Sequence, residues 1–301
     1  MDLADLLIFK TVAEAGGIVK AAGRLHRVQS NVTTRIKQLE ASIGVPLFVR
    51  EKQRLHLSPQ GQMLLVYADK LLRLADEARG AVSSGAPRGT LRLGALESTS
   101  ASRLPAILSE FHLQCPEVSV ELKTGTNDFL AAAVADRRLD AAFTAQPPAQ
   151  KELSFVPLFR EHLVLVTALT HRPVHRSADV AGETVIAFPH GCAYRRIVER
   201  WLGPQTLASV RVLELSSYHA IVACVASGTG IAIVPESVLA TVQSALVMRH
   251  EIPKVLGNVV TPLVWRTGEQ TPAVVALRDL ARRNCQAAAA PGRRRSRRVP
   301  A

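Results

Sequence analysis

The chain has few of the features that mark membrane, metal-binding or secreted proteins. No run in its 301 residues approaches the ~18 consecutive apolar residues that a membrane-spanning helix needs. The first residues, Met1–Asp5, include no basic residue and no cleavage pattern follows, so nothing in them predicts export. The four cysteines form no C-x-x-C pair and have no paired histidine, which argues against a zinc site or a disulfide framework. We therefore expect a cytoplasmic protein with no membrane contact, no metal and no cofactor.

Motifs of catalysis are also missing. The sequence has no G-x-S-x-G and no His/Glu set at metal-binding spacing. The segment Gly228-Thr229-Gly230 resembles a fragment of a phosphate loop, but it follows a predicted helix and precedes a predicted strand, the reverse of a nucleotide-binding turn. We interpret it as a turn. An enzyme is the third and weakest of the functional hypotheses. An α/β fold, which the later part of the sequence predicts, would not exclude an enzyme, but no motif supports one.

Positive charge is in excess and unevenly placed. Lysine and arginine total 37 against 25 acidic residues, a net charge of +12 that suits a polyanionic partner. Five of the arginines lie between Arg293 and Arg298, in a tail flanked by proline and glycine that we expect to be disordered. This tail (residues 291–301) either adds sequence-independent affinity for DNA or is simply a solvated terminus.

Two short helical patterns separated by a tight turn lie near the start of the chain. Ile18, Ala21, Ala22 and Leu25 repeat at helical spacing, and the same spacing resumes after His26-Arg27-Val28. Two helices joined in this way predict a helix-turn-helix. The second helix has an exposed face of hydrogen-bond donors and cations suited to base edges and phosphates: Gln29, Ser30, Asn31, Thr33, Thr34, Arg35 and Lys37.

The segment after the second helix predicts a wing. Gly44 is placed to end that helix, and Val49–Ser58 contains two short extended runs around a polar, basic tip. Arg50, Lys52 and Arg54 would reach phosphates from this hairpin. Residues 1–58 are therefore predicted to form a winged helix-turn-helix domain that binds double-stranded DNA.

The first 61 residues resemble the LysR-type transcriptional regulators at many positions together. Glu14, Gln29-Ser30, Glu40 and Arg50 are among the polar matches. The apolar and glycine matches agree in spacing as well as in type: Leu6, Phe9, Val12, Ala13, Gly16, Ala21-Ala22, Leu25, Val32, Ile36, Leu39, Gly44, Leu47-Phe48 and Gly61.

The resemblance implies a sequence-specific transcription regulator controlled by a small effector. Arg35 and Thr33 are the strongest candidates for base contacts, and Arg50 and Arg54 for phosphate contacts. The sequence departs from the family where Gly17 replaces the usual serine, which predicts a weaker N-cap, and where Asn31 replaces a small residue or proline. Asn31 therefore bears on base preference.

Residues 59–83 predict one long helix with an apolar stripe. Met63, Leu64, Tyr67, Leu71 and Leu74 lie along it, and Ala78 continues it. A stripe on a linker helix needs a partner, which is either this chain's own domain or a second copy of the helix. The resemblance favours the second copy, hence a homodimer or homotetramer. Ser83–Gly89 is predicted to end the helix as a hinge, and residues 59–88 are assigned to the linker.

From residue 89 to residue 290 the pattern alternates between strands and helices. The first set is Leu91–Leu96, Ser102–His112, Val118–Thr124, Asn127–Asp136 and Leu139–Thr144, an order that implies a parallel α/β sheet. A second set runs from Leu163 to Val234, and Val259–Trp265 would lead the chain back to a closing helix, Ala273–Ala287. The predicted fold is therefore α/β overall, with a two-lobed, periplasmic-binding-protein-like effector domain after the winged helix-turn-helix and linker helix.

Ligands of such sheets bind at the carboxyl ends of the strands. The loop Glu97–Ala101 carries three hydroxyls that suit an anionic effector. Glu97 itself could either repel an acid or engage an amine, so an amino-acid-like effector stays open. A capping role explains one hydroxyl of the three. The predicted effector-binding residues are Ser98, Thr99, Ser100, Thr144, Cys192 and Ala193.

Two further alternatives concern Cys192 and the whole chain. A thiol at a helix N-terminus can have a depressed pKa, which raises a redox hypothesis, but no resolving cysteine is near and a pocket-lining thiol is the better interpretation. The predicted effector domain, taken alone, would also fit a solute-binding protein. The DNA-binding domain predicted for residues 1–58 and the missing export signal argue against that alternative.

Overall fold

The chain forms two structural units in a computed structural model that describes residues 1–51, 54–82, 86–242 and 244–289. The first unit ends at Gly85 and the second begins at Ala86. Parts of three predicted features lie outside the described residues: the wing tip with Lys52, the start of the hinge at residues 83–85, and the basic tail 291–301. The predicted boundaries of the four segments stay predictions.

Three helices form the front of the first unit: α1 (Leu3–Ala15), α2 (Ile18–Arg24) and α3 (Gln29–Ile43). Asp2 caps α1 by accepting a hydrogen bond from the backbone N–H of Asp5, whereas Gly17 offers α2 no side-chain cap. Gly44 ends α3 in the left-handed conformation, with φ of 83°. The predicted helix-turn-helix is confirmed, and Phe9 of α1 and Val32 of α3 lie fully buried in the core of this unit.

A hairpin and a long helix complete this unit. Strands β1 (Phe48–Glu51) and β2 (Arg54–Leu57) pair antiparallel, as predicted for a wing. Helix α4 (Pro59–Val82) has one face packed on the core around the buried Ala68, with Leu64 and Leu72 beside it. The apolar side chains of Met63, Tyr67, Leu71 and Leu74 lie exposed along it.

The second unit alternates strands and helices, with two short 3₁₀ segments at Ser177–Val180 and Ser244–Leu246. Its helices and strands follow in this order: β3 (Gly89–Ala95), α5 (Glu97–Ser102), α6 (Leu104–Gln114), β4 (Val118–Thr124), α7 (Asn127–Ala135), β5 (Ala141–Phe143), β6 (Leu153–Ala168), β7 (Thr184–Ala187), α8 (Ala193–Ser209), β8 (Arg211–Glu214), α9 (Tyr218–Ala226), β9 (Ala232–Pro235), α10 (Glu236–Leu239), β10 (Val247–Glu251), α11 (Lys254–Gly257), β11 (Asn258–Arg266) and α12 (Pro272–Ala289).

Two long antiparallel strands connect two lobes. Strand β6 pairs with β11 over Leu153–His162, and then with β9 and β10 over Leu163–Ala168. The chain thus leaves the first lobe along β6 and returns to it along β11, which confirms the predicted two-lobed domain. The strand order of the main sheet is β10-β6-β11-β5-β3-β4, with β9 also on β6, while β7 and β8 form a separate parallel pair.

Some predicted details differ. The expected parallel sheet is mixed, because β3 is parallel to β4 and β5 whereas β11 is antiparallel to β5 and β6. The predicted loop at Glu97–Ala101 is wrong, since these residues form the short helix α5, and the predicted helix at 102–112 is α6, which begins at Leu104. In the second set of elements, the sequence predicts a helix at Tyr194–Leu202, and helix α8 continues past it to Ser209, across a kink at Gly203 that is followed by Pro204.

Two apolar cores hold this unit. One packs α6 and α12 on the sheet around Leu93, Phe143 and Leu277, all fully buried. The other extends through the second lobe around Leu165, Val225 and Val234. No helix of the described residues is long and apolar enough to cross a membrane.

A tight approach between the wing and α4 generates the first prediction. A Cβ added at Gly61 would stand 2.1 Å from the carbonyl oxygen of Leu47. Gly61→Ala must therefore shift backbone, and we expect it to destabilise the protein by about 1–3 kcal/mol. Gly23→Ala is the control, because an added Cβ there meets nothing within 4 Å and a helical alanine stabilises by roughly 0.5–1 kcal/mol. Thermal denaturation measures both, and equal effects would contradict this packing.

Candidate DNA interface and effector cleft

Helix α3 has two opposite faces. Val32, Ile36 and Leu39 are buried against the rest of the helix-turn-helix. Because the helix repeats every 3.6 residues, Ser30, Thr34 and Lys37 lie on the opposite side, and all three are exposed. Gln29 and Asn31 are also exposed, near the start of the helix. Five of the predicted DNA-binding residues of α3 thus form an exposed polar surface on a rigid element.

The two residues favoured for base contacts both make hydrogen bonds within the chain. The hydroxyl of Thr33 donates to the carbonyl oxygen of Gln29 at 2.9 Å. The Arg35 guanidinium donates to the carboxylate of Asp5 at 3.1 Å, and Asp2 lies 3.9 Å from the same nitrogen. Arg35 therefore joins α3 to the capped start of α1. Its role as a base contact, like that of Thr33, stays a prediction.

The wing is fixed to α3 by a residue whose role the sequence pattern did not reveal. One carboxylate oxygen of Glu40 accepts the backbone N–H groups of Leu47 and Phe48, at 2.8 and 3.2 Å. This pair of bonds holds the start of the hairpin at the end of α3. Arg50 is exposed on β1, and the backbone of Arg54 lies opposite Glu51 in β2.

The second unit contains a cleft at the carboxyl ends of five strands. Its volume is about 230 Å³. The lining comes from the residues that follow β3, β4, β5, β7 and β8, the place where open α/β sheets bind ligands. The residues are Leu96, Glu97, Ser98, Thr124, Gly125, Thr126, Ala145, Phe188, Pro189, Cys192, Ala193, Tyr194, Ser216 and Tyr218.

The cleft brings together half of the predicted effector residues. Ser98, Cys192 and Ala193 line it, from the starts of α5 and α8. Thr99, Ser100 and Thr144 do not line it. Thr99 is buried, and the Thr144 hydroxyl donates to the carbonyl oxygen of Gln146 at 2.9 Å. The Ser100 hydroxyl is buried without a hydrogen-bond partner among the described residues. Thr99 and Ser100 differ from Ser98 in this way because α5 is a helix, and successive side chains of a helix point in different directions.

Sequence reasoning missed two aromatic residues of the cleft. Phe188 and Tyr218 lie against each other with ring centroids 4.7 Å apart, and Tyr194, which follows the predicted Cys192 and Ala193, also lines the cleft. Each could have been found by applying the strand-end rule to the second lobe, because Phe188 follows β7 directly and Tyr218 opens the helix after β8. Thr126, which caps α7 by accepting the Phe129 N–H, is a further polar lining residue.

The ionisable groups of the cleft are shifted towards their neutral forms. Burial raises the pKa of the Cys192 thiol, against the opposing effect of the Arg195 and Tyr194 backbone amides, which argues against the thiolate required by the redox hypothesis. Burial also raises the pKa of the Tyr218 and Tyr194 phenols. Burial raises the pKa of Glu97 too, although the Tyr218 amide and His219 act in the opposite direction. The part of the chain that the structure describes holds no cluster of side chains suited to a metal.

Both units match known families. Residues 3–62 match the model described as "Bacterial regulatory helix-turn-helix protein, lysR family", and residues 84–286 match the "LysR substrate binding domain". A DNA-binding head followed by a substrate-binding domain defines a ligand-responsive transcriptional regulator. The chain belongs to the LysR family of these regulators, and its predicted partners, double-stranded DNA, a small effector and further copies of the chain, are those of that family.

Curated relatives agree with this assignment. The chain is 36% identical over 268 residues to the uncharacterized HTH-type transcriptional regulator YusT of Bacillus subtilis, covering 88% of this chain and 90% of the relative. It is also 36% identical over 242 residues to the regulator GltR of the same organism, covering 80% and 82%.

Solved structures share the fold over nearly the whole chain. A full-length OxyR variant from Pseudomonas aeruginosa superposes with a TM-score of 0.72 at 23% identity, covering 94% of this chain and 95% of that one. Full-length CbnR, solved in complex with its target DNA, superposes with a TM-score of 0.68 at 24% identity, covering 94% and 99%.

The Glu97 environment predicts a pH-dependent stability. A carboxyl whose pKa is raised in the folded state stabilises the fold below its unfolded pKa, and this stabilisation is lost as pH rises through the folded pKa. Glu97→Gln resembles the protonated acid, so we expect it to melt higher than the wild type at pH 8 and to converge with it near pH 4. Thermal denaturation at several pH values tests this. A difference in melting temperature that stays constant with pH would contradict a buried Glu97 carboxyl with a raised pKa.

Proposed function

We propose that this LysR-type regulator reads DNA with the exposed face of α3 and responds to a small effector bound in the cleft. The observation that carries the DNA half is the polar surface of Ser30, Thr34 and Lys37, exposed on the side of α3 opposite its buried residues. Side chains of this kind on a helix-turn-helix fit base edges in the major groove. Gln29 and Asn31 would extend the contact at the start of the helix.

The supporting contacts follow from the same unit. Arg50, exposed on the wing, would bind a phosphate, and Arg54 would add another from β2. Because Arg35 is paired with Asp5, we propose that it positions α3 rather than reads a base. We propose likewise that Thr33 does not read a base, since its hydroxyl donates to the carbonyl oxygen of Gln29 in the helix backbone. CbnR, the structural neighbour solved with DNA, supports the fold of this chain and not these individual contacts.

Pairing through α4 is part of the proposal. Met63 is 66% exposed, Tyr67 57% and Leu74 61%, while the opposite face of α4 packs on the core of its own unit. An exposed apolar stripe on a long helix is favourable only if a second surface covers it, and a second copy of the same helix gives a two-fold assembly. Such a homodimer, or a homotetramer built from it, would match an inverted-repeat DNA site.

The effector half of the proposal places a small molecule in the cleft between the lobes. The sequence alone favours an anionic or amino-acid-like effector. No lysine, arginine or histidine is among the lining residues of the described chain, whereas Glu97 is, and this supports the amino-acid-like alternative. Closure around the ligand would change how the copies associate and so how the DNA is bent. Because the curated relatives are transcriptional regulators, we also propose a cytoplasmic protein without enzymatic activity.

The salt dependence of DNA binding distinguishes the proposed phosphate contacts from the proposed base contacts. We expect Arg50→Ala to weaken binding to all sequences and to lower the slope of log K against log salt by about one unit. Thr34→Ala should leave the slope unchanged and relax base preference, by roughly 1–3 kcal/mol at the contacted base pair.

Fluorescence anisotropy on specific and scrambled duplexes gives both quantities. The control is Arg211→Ala, an equal loss of charge at an exposed position on β8 of the second unit. A lowered slope in the control together with an unchanged slope in Arg50→Ala would contradict the proposed wing contact.

A further inference from the structure

The cleft contains a carboxylate that the protein does not neutralise. One oxygen of Glu97 accepts the backbone N–H of Tyr218 at 3.4 Å, a long hydrogen bond. The other oxygen, Oε2, is buried and has no hydrogen-bond partner among the described residues. Buried polar atoms are nearly always paired, so a missing partner in a binding cleft points to a group that arrives with the ligand.

The rest of the lining offers no compensating positive charge. Glu97 is accompanied by hydroxyls, a thiol and apolar groups, and the described lining includes no cationic side chain. The thiol of Cys192 and the phenols of Tyr194 and Tyr218 are neutral at neutral pH, because burial raises the pKa of each. The nearby His219 is not in the lining, although its charge acts to lower the pKa of Glu97. The charges of Arg195 and Arg196 also act on Cys192 from outside the lining, but Arg195 is paired with Glu199 and Glu214, and Arg196 with Asp128. Within the lining, the carboxyl of Glu97 therefore has no cationic partner, which favours a positive ligand.

The wall beside Glu97 suits the body of such a ligand. Phe188 and Tyr218 present adjoining rings 4.7 Å apart, next to Leu96 and Pro189. Aromatic faces bind apolar groups and also attract cations through their negative π faces. A flat or branched apolar body could lie against these rings while its polar end reaches Glu97.

We propose that the effector is a small molecule with an aromatic or branched apolar body and a protonated amine, and that the amine binds the carboxylate of Glu97. This inference rests on the proposed use of the cleft as the effector site and names the chemistry of its ligand. An ammonium group supplies both the missing positive charge and the hydrogen-bond donor for Oε2. Free amines, and amino acids whose carboxylate lies elsewhere in the cleft, share this chemistry.

A matched set of probes distinguishes a cleft that binds an amine from one that binds a carboxylate. If Glu97 instead stayed protonated and donated a hydrogen bond, the cleft would prefer a ligand carboxylate. The probes are 2-phenylethylamine, 3-phenylpropanoate and 2-phenylethanol, which share a phenyl body and differ in the terminal group. Calorimetry with the full-length protein measures the three affinities at neutral pH.

We expect the amine to bind at least about tenfold more tightly than the acid or the alcohol, because a hydrogen bond to a charged group contributes more than one to a neutral group. Glu97→Gln should remove this preference while keeping an oxygen for the Tyr218 amide. The control is Glu117→Gln, which removes the same charge at an exposed position before β4 and should leave the preference intact. Equal affinities for the three probes, a preference for the acid, no binding of the amine, or an unchanged preference in Glu97→Gln would each overturn the proposal.

A second measurement tests separately whether the cleft is the effector site at all. Labelling of Cys192 with a thiol reagent, mapped by mass spectrometry, reports whether a probe occupies the cleft, since Cys192 lines it. Protection of Cys192 by the acid or the alcohol, without preference for the amine, would overturn the amine inference and leave the cleft as the effector site. Salt-dependent binding to DNA is measured on the first unit's variants and does not depend on either result.

Discussion

The antiparallel pairing of β6 with β11 is the constraint on which the effector domain depends. These two strands carry the chain from one lobe to the other and back, and their shared ladder runs from Leu153 with Arg266 to His162 with Asn258. At the end of this ladder the carboxylate of Glu161, 5% exposed, receives the Arg103 guanidinium at 2.7 Å and the Ser237 hydroxyl at 2.6 Å. Arg103 precedes α6 and Ser237 belongs to α10, so one buried carboxylate connects elements on both sides of the crossover. A buried charge held in this way is costly to disturb, because removing one partner leaves the other unpaired.

That arrangement explains why the cleft exists where it does. The lobes each direct the carboxyl ends of their parallel strands towards the crossover, and the segments after those strands form the lining. The start of α5 supplies Glu97 and Ser98, and the start of α8 supplies Cys192 and Ala193. Carboxylates have a comparable role in the first unit. Glu40 fixes the wing to α3, and Asp5, paired with Arg35, fixes α3 to α1. Both units thus use a carboxylate to hold together elements that carry the proposed functional side chains.

The sequence predicted the architecture well because apolar periodicity and turn residues are local signals. The helix-turn-helix, the wing, the long helix α4 and the two-lobed domain all follow from spacing that a single chain displays. The short helix α5 was not predictable in this way, because Glu97–Ser102 contains a single apolar residue, Ala101, and so shows no apolar periodicity. Two aromatic residues of the cleft were missed for another reason. Phe188 and Tyr218 are thirty residues apart, and only the pairing of β7 with β8 brings them together.

Individual roles were harder to predict than elements. Arg35 has the residue type and helix position of a base-reading residue, but its partner Asp5 lies thirty residues earlier, so no local pattern shows the pairing. Glu97 could equally repel an acid or bind an amine until its missing hydrogen-bond partner and aromatic surroundings were known. The basic tail lies outside the described residues, and its contribution to DNA affinity stays a prediction.

The most direct test of the account is a footprint of the full-length protein on genomic fragments, including the DNA upstream of its own gene. The comparison variant is Ser30→Ala with Thr34→Ala, which removes two exposed hydroxyls of α3 and leaves the net charge unchanged. The account predicts a protected, roughly two-fold-symmetric site that the variant loses. Weak protection along every fragment, unchanged in the variant, would contradict it and would mean that positive charge alone drives binding.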